Sequence, residues 1–250
     1  MLSNAQLKLV KSLHQKKNRE QMHLFVAEGK KIVDELLASA KIEVVHVYAS
    51  GNYFGNKPFT KITEDEMKKI SALTSPQNIL AVCHVPQDSL VMPDLNKELV
   101  LVLDDIRDPG NLGTIIRIAD WFGIKSVFCT TECVDAYNPK AVQASMGSIA
   151  RVNLDYKNLR SILQECREKS IPVYGAKLDG ANILNEQLTA NGVLMIGNES
   201  TGISAELSNY ITHSLKIPSY SSSGAESLNA AMATAILCTE FRRNELKGNK

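Results

Sequence analysis

Residues 98–105 read ELVLVLDD, five consecutive apolar side chains closed by two carboxylates. A strand with one wet face alternates apolar and polar positions, so an unbroken run marks a strand covered on both faces. Strands of that kind belong to parallel sheets, and a parallel neighbour is reached only through a long crossover, usually a helix. The residues that follow supply such crossovers. Periodicity predicts helix 112–123, strand 125–129, a helix near 139–147, strand 149–153 and helix 157–168. Strands 172–176 and 192–197, a short helix near 203–209, strand 213–217 and helix 226–245 complete the alternation. The expected fold is α/β, with a mostly parallel sheet between helices.

Upstream of this run lies a smaller α/β pattern. Ser3 and Gln6 form a capping box, which starts a helix near residue 4 with Leu9 and Leu13 on one face. Residues 30–40 carry Ile32, Val33, Leu36, Leu37 and Ala40 at helical spacing, and IEVVHVY (42–48) is strand-like. Thr63 and Glu66 form a second capping box, and ILAVCHV (79–85) is a further strand. Two prolines within PQDSLVMPDLNKE (86–98) mark a connection. The predicted division is a domain over 1–90, a linker over 91–98 and a second domain over 99–250.

The net charge of +1 conceals an asymmetry. Lys8, Lys11, Lys16, Lys17 and Arg19 lie within the first 19 residues, where there is no acid, which leaves −4 on the rest. Lys16, Lys17 and Arg19 cluster at the exit of the first helix and suggest a polyanionic partner, against the plainer reading of a solvated helix end. No stretch approaches the roughly 18 apolar residues of a membrane span. The N-terminus lacks the apolar core of a signal peptide. Five scattered cysteines form no zinc pattern and read as buried thiols, which together place the chain in the cytoplasm.

Ligands of open parallel sheets sit beyond the carboxyl ends of the strands. Three loops there are rich in Gly and polar side chains: DDIRDPGNLGTIIR (104–117), GNESTG (197–202) and IPSYSSSGAESLN (217–229). Their glycines, Gly110, Gly113, Gly197, Gly202 and Gly224, let backbone approach a ligand closely. Dinucleotide, P-loop and nucleophile-elbow signatures are missing, and the five histidines have no metal-ligand spacing. On helix 112–123, Leu112, Ile115, Ile116, Ala119 and Phe122 share a face, while Arg117 points away beside Thr114, Ile118 and Trp121. A back face carrying Ile and Trp needs a cover, either a second subunit or, for Trp121, the core of the first domain. The run AAMATAILC (230–238) is nearly all apolar and needs cover on all sides, from a dimer partner or from the interior of a monomer.

At these loops the sequence resembles the SpoU/TrmH family of RNA 2′-O-ribose methyltransferases, within the SPOUT superfamily. The family's first motif, Asn then Arg after five residues, is matched by Asn111 and Arg117. Its G-N-E-x-x-G is GNESTG, and its I-P with S-L-N is Ile217-Pro218 with Ser227-Leu228-Asn229. KKNRE and FVAEGKKIVDE are similar to the opening of that family's substrate-binding domain, which resembles RNA-binding ribosomal proteins. The resemblance implies a SPOUT-type parallel sheet with a deep C-terminal trefoil knot, a fold that ordinary topology rules argue against. It also implies a homodimer with each active site near the subunit interface.

By the same resemblance the cofactor is S-adenosylmethionine, held by Ile196, Gly197, Ile217 and Leu228. Asn111, Arg117, Glu199, Ser227 and Asn229 form the catalytic set, with Lys16, Lys17 and Arg19 on RNA and no metal. Arg117 acts on the ribose 2′-hydroxyl, either as base or as charge stabiliser. The segment Ser219–Ser223 departs from the usual I-P-M-x-G opening of the third loop. The implied activity is methylation of a ribose in structured RNA, ribosomal RNA before tRNA. Two other classes stay open, a non-catalytic RNA-binding protein and a small-molecule α/β enzyme.

Overall fold

In the computed structural model, residues 1–53, 55, 57–87, 92–221 and 227–248 are described, with side chains of the last helix described as far as Arg243. Gly224, Ser222, Ser223 and part of the 86–98 connection therefore lie outside the described residues. The chain divides into two units. One comprises residues 1–89 together with 135–151, the other residues 90–134 together with 152–250.

In the first unit, α1 (Asn4–Ser12) starts at its capping box. Ser3 Oγ accepts the Gln6 amide at 3.2 Å and Gln6 Oε1 accepts the Ser3 amide at 2.9 Å. A short α2 (Lys16–Met22) ends at His23, whose φ of +51° turns the chain into β1 (Leu24–Glu28). Then follow α3 (Lys30–Ala38), β2 (Val44–Ala49), β3 (Phe59–Lys61), α4 (Glu64–Ile70) and β4 (Ile79–His84). The sheet order is β1-β4-β2-β3, antiparallel except for β2 with β3. Val10, Leu13, Tyr48, Met67, Ile70 and Leu80 make one core cluster. Ala40 is exposed, because α3 stops at Ala38 and Ser39 is already extended.

The second unit is built on six parallel strands in the order β10-β8-β9-β5-β6-β7. In chain order its elements are β5 (Leu99–Leu103), α5 (Pro109–Trp121), β6 (Ser126–Cys129), β7 (Asn153–Tyr156), α7 (Arg160–Glu168) and β8 (Val173–Asn182), while α6 (Pro139–Ser145), between β6 and β7, belongs to the first unit. The second unit continues with β9 (Gly192–Ile196), α8 (Ala205–Ser208), β10 (His213–Lys216) and α9 (Ala230–Gly248). All five β5 residues are buried, as the unbroken apolar run requires. Val100, Val102, Phe128, Leu163, Val193 and Met195 form a core on one side of the sheet.

Two strands of the second unit differ from the sequence expectation, and α2, β1 and β3 of the first unit are not among the elements predicted from the sequence. Of the strand expected over 149–153, only Asn153 is extended in the sheet. Met146 (φ +51°) and Gly147 (φ +94°) reverse the chain, 148–150 is one 3₁₀ turn, and β7 begins at Asn153. Strand β8 runs on to Asn182, with a break that pairs Ser214 with Gly175 but Leu215 with Ala181.

Helix α6 and its flanks pack with the first unit. The Phe25 and Tyr137 rings lie 4.9 Å apart, and Arg151 pairs with Glu35. Arg19 donates from Nε to Asp135 Oδ2 at 2.8 Å and from Nη1 to the Leu13 carbonyl at 2.8 Å. All five cysteines are free and buried.

Candidate active site

Three loops leave the carboxyl ends of β5, β9 and β10, and side-chain hydrogen bonds join them. Asp108 caps α5 by accepting the Asn111 amide at 2.7 Å, which fixes Asn111 in the first helical turn. The Asn111 amide nitrogen donates to Glu199 Oε1 on the second loop. Asn111 Oδ1 accepts from Asn229 Nδ2 at 2.8 Å on the third loop. Asn229 Oδ1 in turn accepts the Ala231 and Met232 amides at 3.0 and 3.3 Å, so the same residue caps α9. Ser227 Oγ donates to the Glu199 carbonyl at 3.3 Å. Asn111, Glu199, Ser227 and Asn229, 118 residues apart at the extremes, thus form one network.

Arg117 stands apart from it. It lies on the exposed side of α5 and forms no hydrogen bond or ion pair with any described residue. On the same face Thr114 and Ile118 are half-buried. Trp121 is 84% exposed, which excludes it from the core of the first unit. Helix α5 packs on α9, whose Met232 and Ile236 are 60% and 37% exposed. α9 is therefore not an internal helix. Together with Trp121 it presents apolar side chains to solvent.

The second loop is shaped by its glycines. A Cβ on Gly197 would lie 2.3 Å from the Gly202 carbonyl carbon, so no other residue fits. Asn198 and Gly202 exchange backbone hydrogen bonds at 3.1 and 2.9 Å, with Gly202 at φ +69°. Ile196 is buried, Ile217 half-buried and Leu228 46% exposed. The backbone groups of Gly197, Ile217 and Leu228 bond to no described residue. Unengaged amides and carbonyls beside apolar side chains suit a purine nucleoside, with an edge to hydrogen-bond and a face to cover.

Asp104 and Asp105, closing the apolar run, hold these loops in place and are not among the motif residues. Asp104, 5% exposed, accepts the Ser204 amide at 2.7 Å and so holds the exit of the second loop. Asp105 adopts φ +55°, donates its amide to Thr130 Oγ1 at 3.1 Å and accepts Asn198 Nδ2 on its carbonyl at 2.9 Å. Its carboxylate takes Arg107 Nε at 2.7 Å, which raises the arginine pKa above its ordinary value. Beneath this turn Cys133 Sγ accepts the Ile106 amide at 3.2 Å, and a hydrogen bond from the Cys129 thiol holds the Cys133 pKa below its usual range. The signal available in the sequence was the acidic pair at a buried strand's end, where ligand loops begin.

The basic cluster divides. Lys16 and Lys17 are exposed, Lys16 with only a loose pair to Glu20 at 3.6 Å. Arg19 is 3% exposed and spent on Asp135 and Leu13. It is a structural arginine and is withdrawn as an RNA contact.

A parallel sheet whose ligand loops are joined by an Asn–Glu–Asn network, with a free arginine on the helix that follows the first loop, has the layout of an α/β enzyme with its site at the carboxyl ends of the strands. The chain belongs to the SpoU rRNA methylase family, which it matches over residues 98–239, and it also matches the MRM3-like substrate binding domain over residues 4–81. It is 34% identical to a 23S rRNA guanosine 2′-O-methyltransferase of Bacillus subtilis, over 96% of each chain. A solved structure assigned to the TrmH family of RNA methyltransferases, from Porphyromonas gingivalis, is 39% identical and superposes with a TM-score of 0.85 over 98% of this chain and 99% of its own. An rRNA methyltransferase from Sinorhizobium meliloti, solved with S-adenosylmethionine bound, is 28% identical with a TM-score of 0.82, over 98% of this chain and 96% of its own.

Proposed function

We propose that this enzyme transfers a methyl group from S-adenosylmethionine to a ribose 2′-hydroxyl of ribosomal RNA. The observation that carries the reading is the network of Asn111, Glu199, Ser227 and Asn229, with Arg117, which has no partner among the described residues, six positions after Asn111 on α5. Full-length similarity to a 23S rRNA methyltransferase favours ribosomal RNA over tRNA. The matched substrate-binding domain points the same way.

S-adenosylmethionine supplies a sulfonium methyl, an electrophile that needs neither metal nor redox partner. In this reading Gly197, Ile217 and Leu228 bind the donor through backbone groups, and Ile196 flanks its base. Asn111 and Glu199 keep the first and second loops in register, while Ser227 and Asn229 fix the third against them. Arg117 faces the 2′ oxygen. Removing a proton from a guanidinium of pKa roughly 12.5 or above is costly near neutral pH. Its role is therefore to stabilise the developing alkoxide and to hold a neighbouring phosphate, while the hydroxyl proton passes to water and the donor leaves as the neutral thioether S-adenosylhomocysteine. Lys16 and Lys17 on the first unit bind RNA phosphates.

The exposed stripe of Trp121, Met232 and Ile236 supports a homodimer, which would cover it. The knot is part of the same family reading. No described helix is long and apolar enough to cross a membrane, in keeping with a cytoplasmic enzyme of ribosome maturation.

The test joins calorimetric titration with S-adenosylmethionine to methyl transfer onto unmodified 23S rRNA transcript. The expected product resists alkaline cleavage at one linkage, because a methylated 2′ oxygen cannot attack its phosphate. Leu228→Arg, at a half-open position, should abolish donor binding and leave the fold intact. Unchanged donor affinity in that variant would place the pocket elsewhere.

A further inference from the structure

The loop between β5 and α5 carries three acids, yet each is engaged. Asp104 accepts the Ser204 amide, Asp108 accepts the Asn111 amide, and Asp105 holds Arg107 and Asn198. What the loop turns outward is Arg107, whose side chain is 75% exposed. Only its Nε is engaged among the described residues, so both terminal amino groups of the guanidinium remain free. The anchor behind it is rigid. Asp105 is fixed by Thr130 through its amide and by Asn198 through its carbonyl, in a left-handed conformation that restricts its side chain. A guanidinium tied back at Nε with two free nitrogens presents the fork that binds a phosphate through paired hydrogen bonds.

On the reading of the site as an RNA methyltransferase, we propose that Arg107 is a substrate-binding residue. It clamps a phosphodiester of the RNA strand four residues upstream of Asn111, and Asp105 aims it. Its position on the first loop separates it from Lys16 and Lys17, which belong to the other unit. Because Asp105 is fastened to Asn198, the clamp is set by the same contacts that set the second loop. The RNA is thereby registered against the donor site itself, not only held by the first unit.

The test uses the full chain and unmodified 23S rRNA transcript. Arg107→Ala should raise the KM for RNA about tenfold, the scale of a charge-assisted hydrogen bond. It should also flatten log affinity against log salt by about 0.7–0.9 units, one phosphate's worth of counterion release. Arg107→Lys separates charge from geometry. It should restore the salt slope, because the charge remains, and keep most of the KM increase, because the fork is gone. An unchanged KM and slope in Arg107→Ala overturns the proposal, and so does full recovery by lysine. If the parent enzyme binds RNA with the expected slope but transfers no methyl group, the functional reading fails while the contact stands. Calorimetry with S-adenosylmethionine closes the set. A large loss of donor affinity in Arg107→Ala would make the residue part of the donor site and refute the RNA contact.

Discussion

Replacing Arg19 by Met should destabilise the first unit without weakening the electrostatic attraction for RNA. The side chain is 3% exposed, and its Nε and Nη2 lie 2.8 and 2.7 Å from Asp135 Oδ2. Removing one partner of a buried pair typically costs about 3–5 kcal/mol, because the other charge is left without compensation. Asp135 is 15% exposed and keeps the Tyr137 amide on Oδ1, which places the loss near the lower end, about 3 kcal/mol. In a protein of this length that is a fall in Tm of roughly 6–12 °C. The double variant Arg19→Met/Asp135→Leu removes both charges and should recover all but about 1–2 kcal/mol, since only the Tyr137 contact and the Leu13 carbonyl go unsatisfied. Scanning calorimetry and urea unfolding followed by circular dichroism measure both. The reasoning fails if the single variant melts with the parent and instead loses a unit of salt slope in RNA binding, which would make Arg19 a phosphate contact after all.

Arg117→Ala should slow single-turnover methylation of bound RNA by ~10²–10³, the usual worth of one preorganised charge donor, with donor affinity retained. The reverse pattern would assign it to the donor pocket. Changing Lys16 and Lys17 together to Ala should flatten the salt dependence of RNA binding by roughly 1.4–1.8 units, which filter binding across a salt series measures. Burial lowers the Lys41 pKa from 10.5 to about 8, so the unfolded chain binds the proton more tightly than the folded one. Stability should therefore rise as pH climbs from about 8 towards 10.5, and Lys41→Met should remove that rise. Urea titrations at several pH values decide it.

The parts of the fold that could be read in advance share a physical basis. Strand β5 declared itself by an apolar run that no half-wet strand would carry. Helices α1 and α4 declared themselves by reciprocal side-chain caps, a local chemistry fully contained in four residues. β1 and α2 escaped notice, because KKNREQM has no apolar period and LFVAE is too short to stand out beside it. The error at 149–153 has a conformational cause. IARVN has the composition of a strand, but the left-handed residues Met146 and Gly147 just before it had already turned the chain. Arg19 was misjudged for a different reason. Its partner is 116 residues away, and nothing near position 19 indicates it. The hydrogen-bonded network of Asn111, Glu199, Ser227 and Asn229 joins residues that the loop motifs single out, since side chains that bridge loops are also the motif residues. Asp105 is not among them, because its work is done partly through backbone atoms at an unusual φ.

Residues 135–151 leave the catalytic sheet after β6, complete the first unit and return at β7. The consequence is that the substrate-binding unit is not a removable cassette. A fragment ending in the 86–98 connection would lose Tyr137 from against Phe25, Arg151 from Glu35 and the only acid paired with Arg19 among the described residues. A chimera that exchanges this unit with a relative's, to redirect the enzyme to another stretch of RNA, must therefore transplant two segments at once. In evolution as at the bench, the first unit can be exchanged whole only when both of its segments move together.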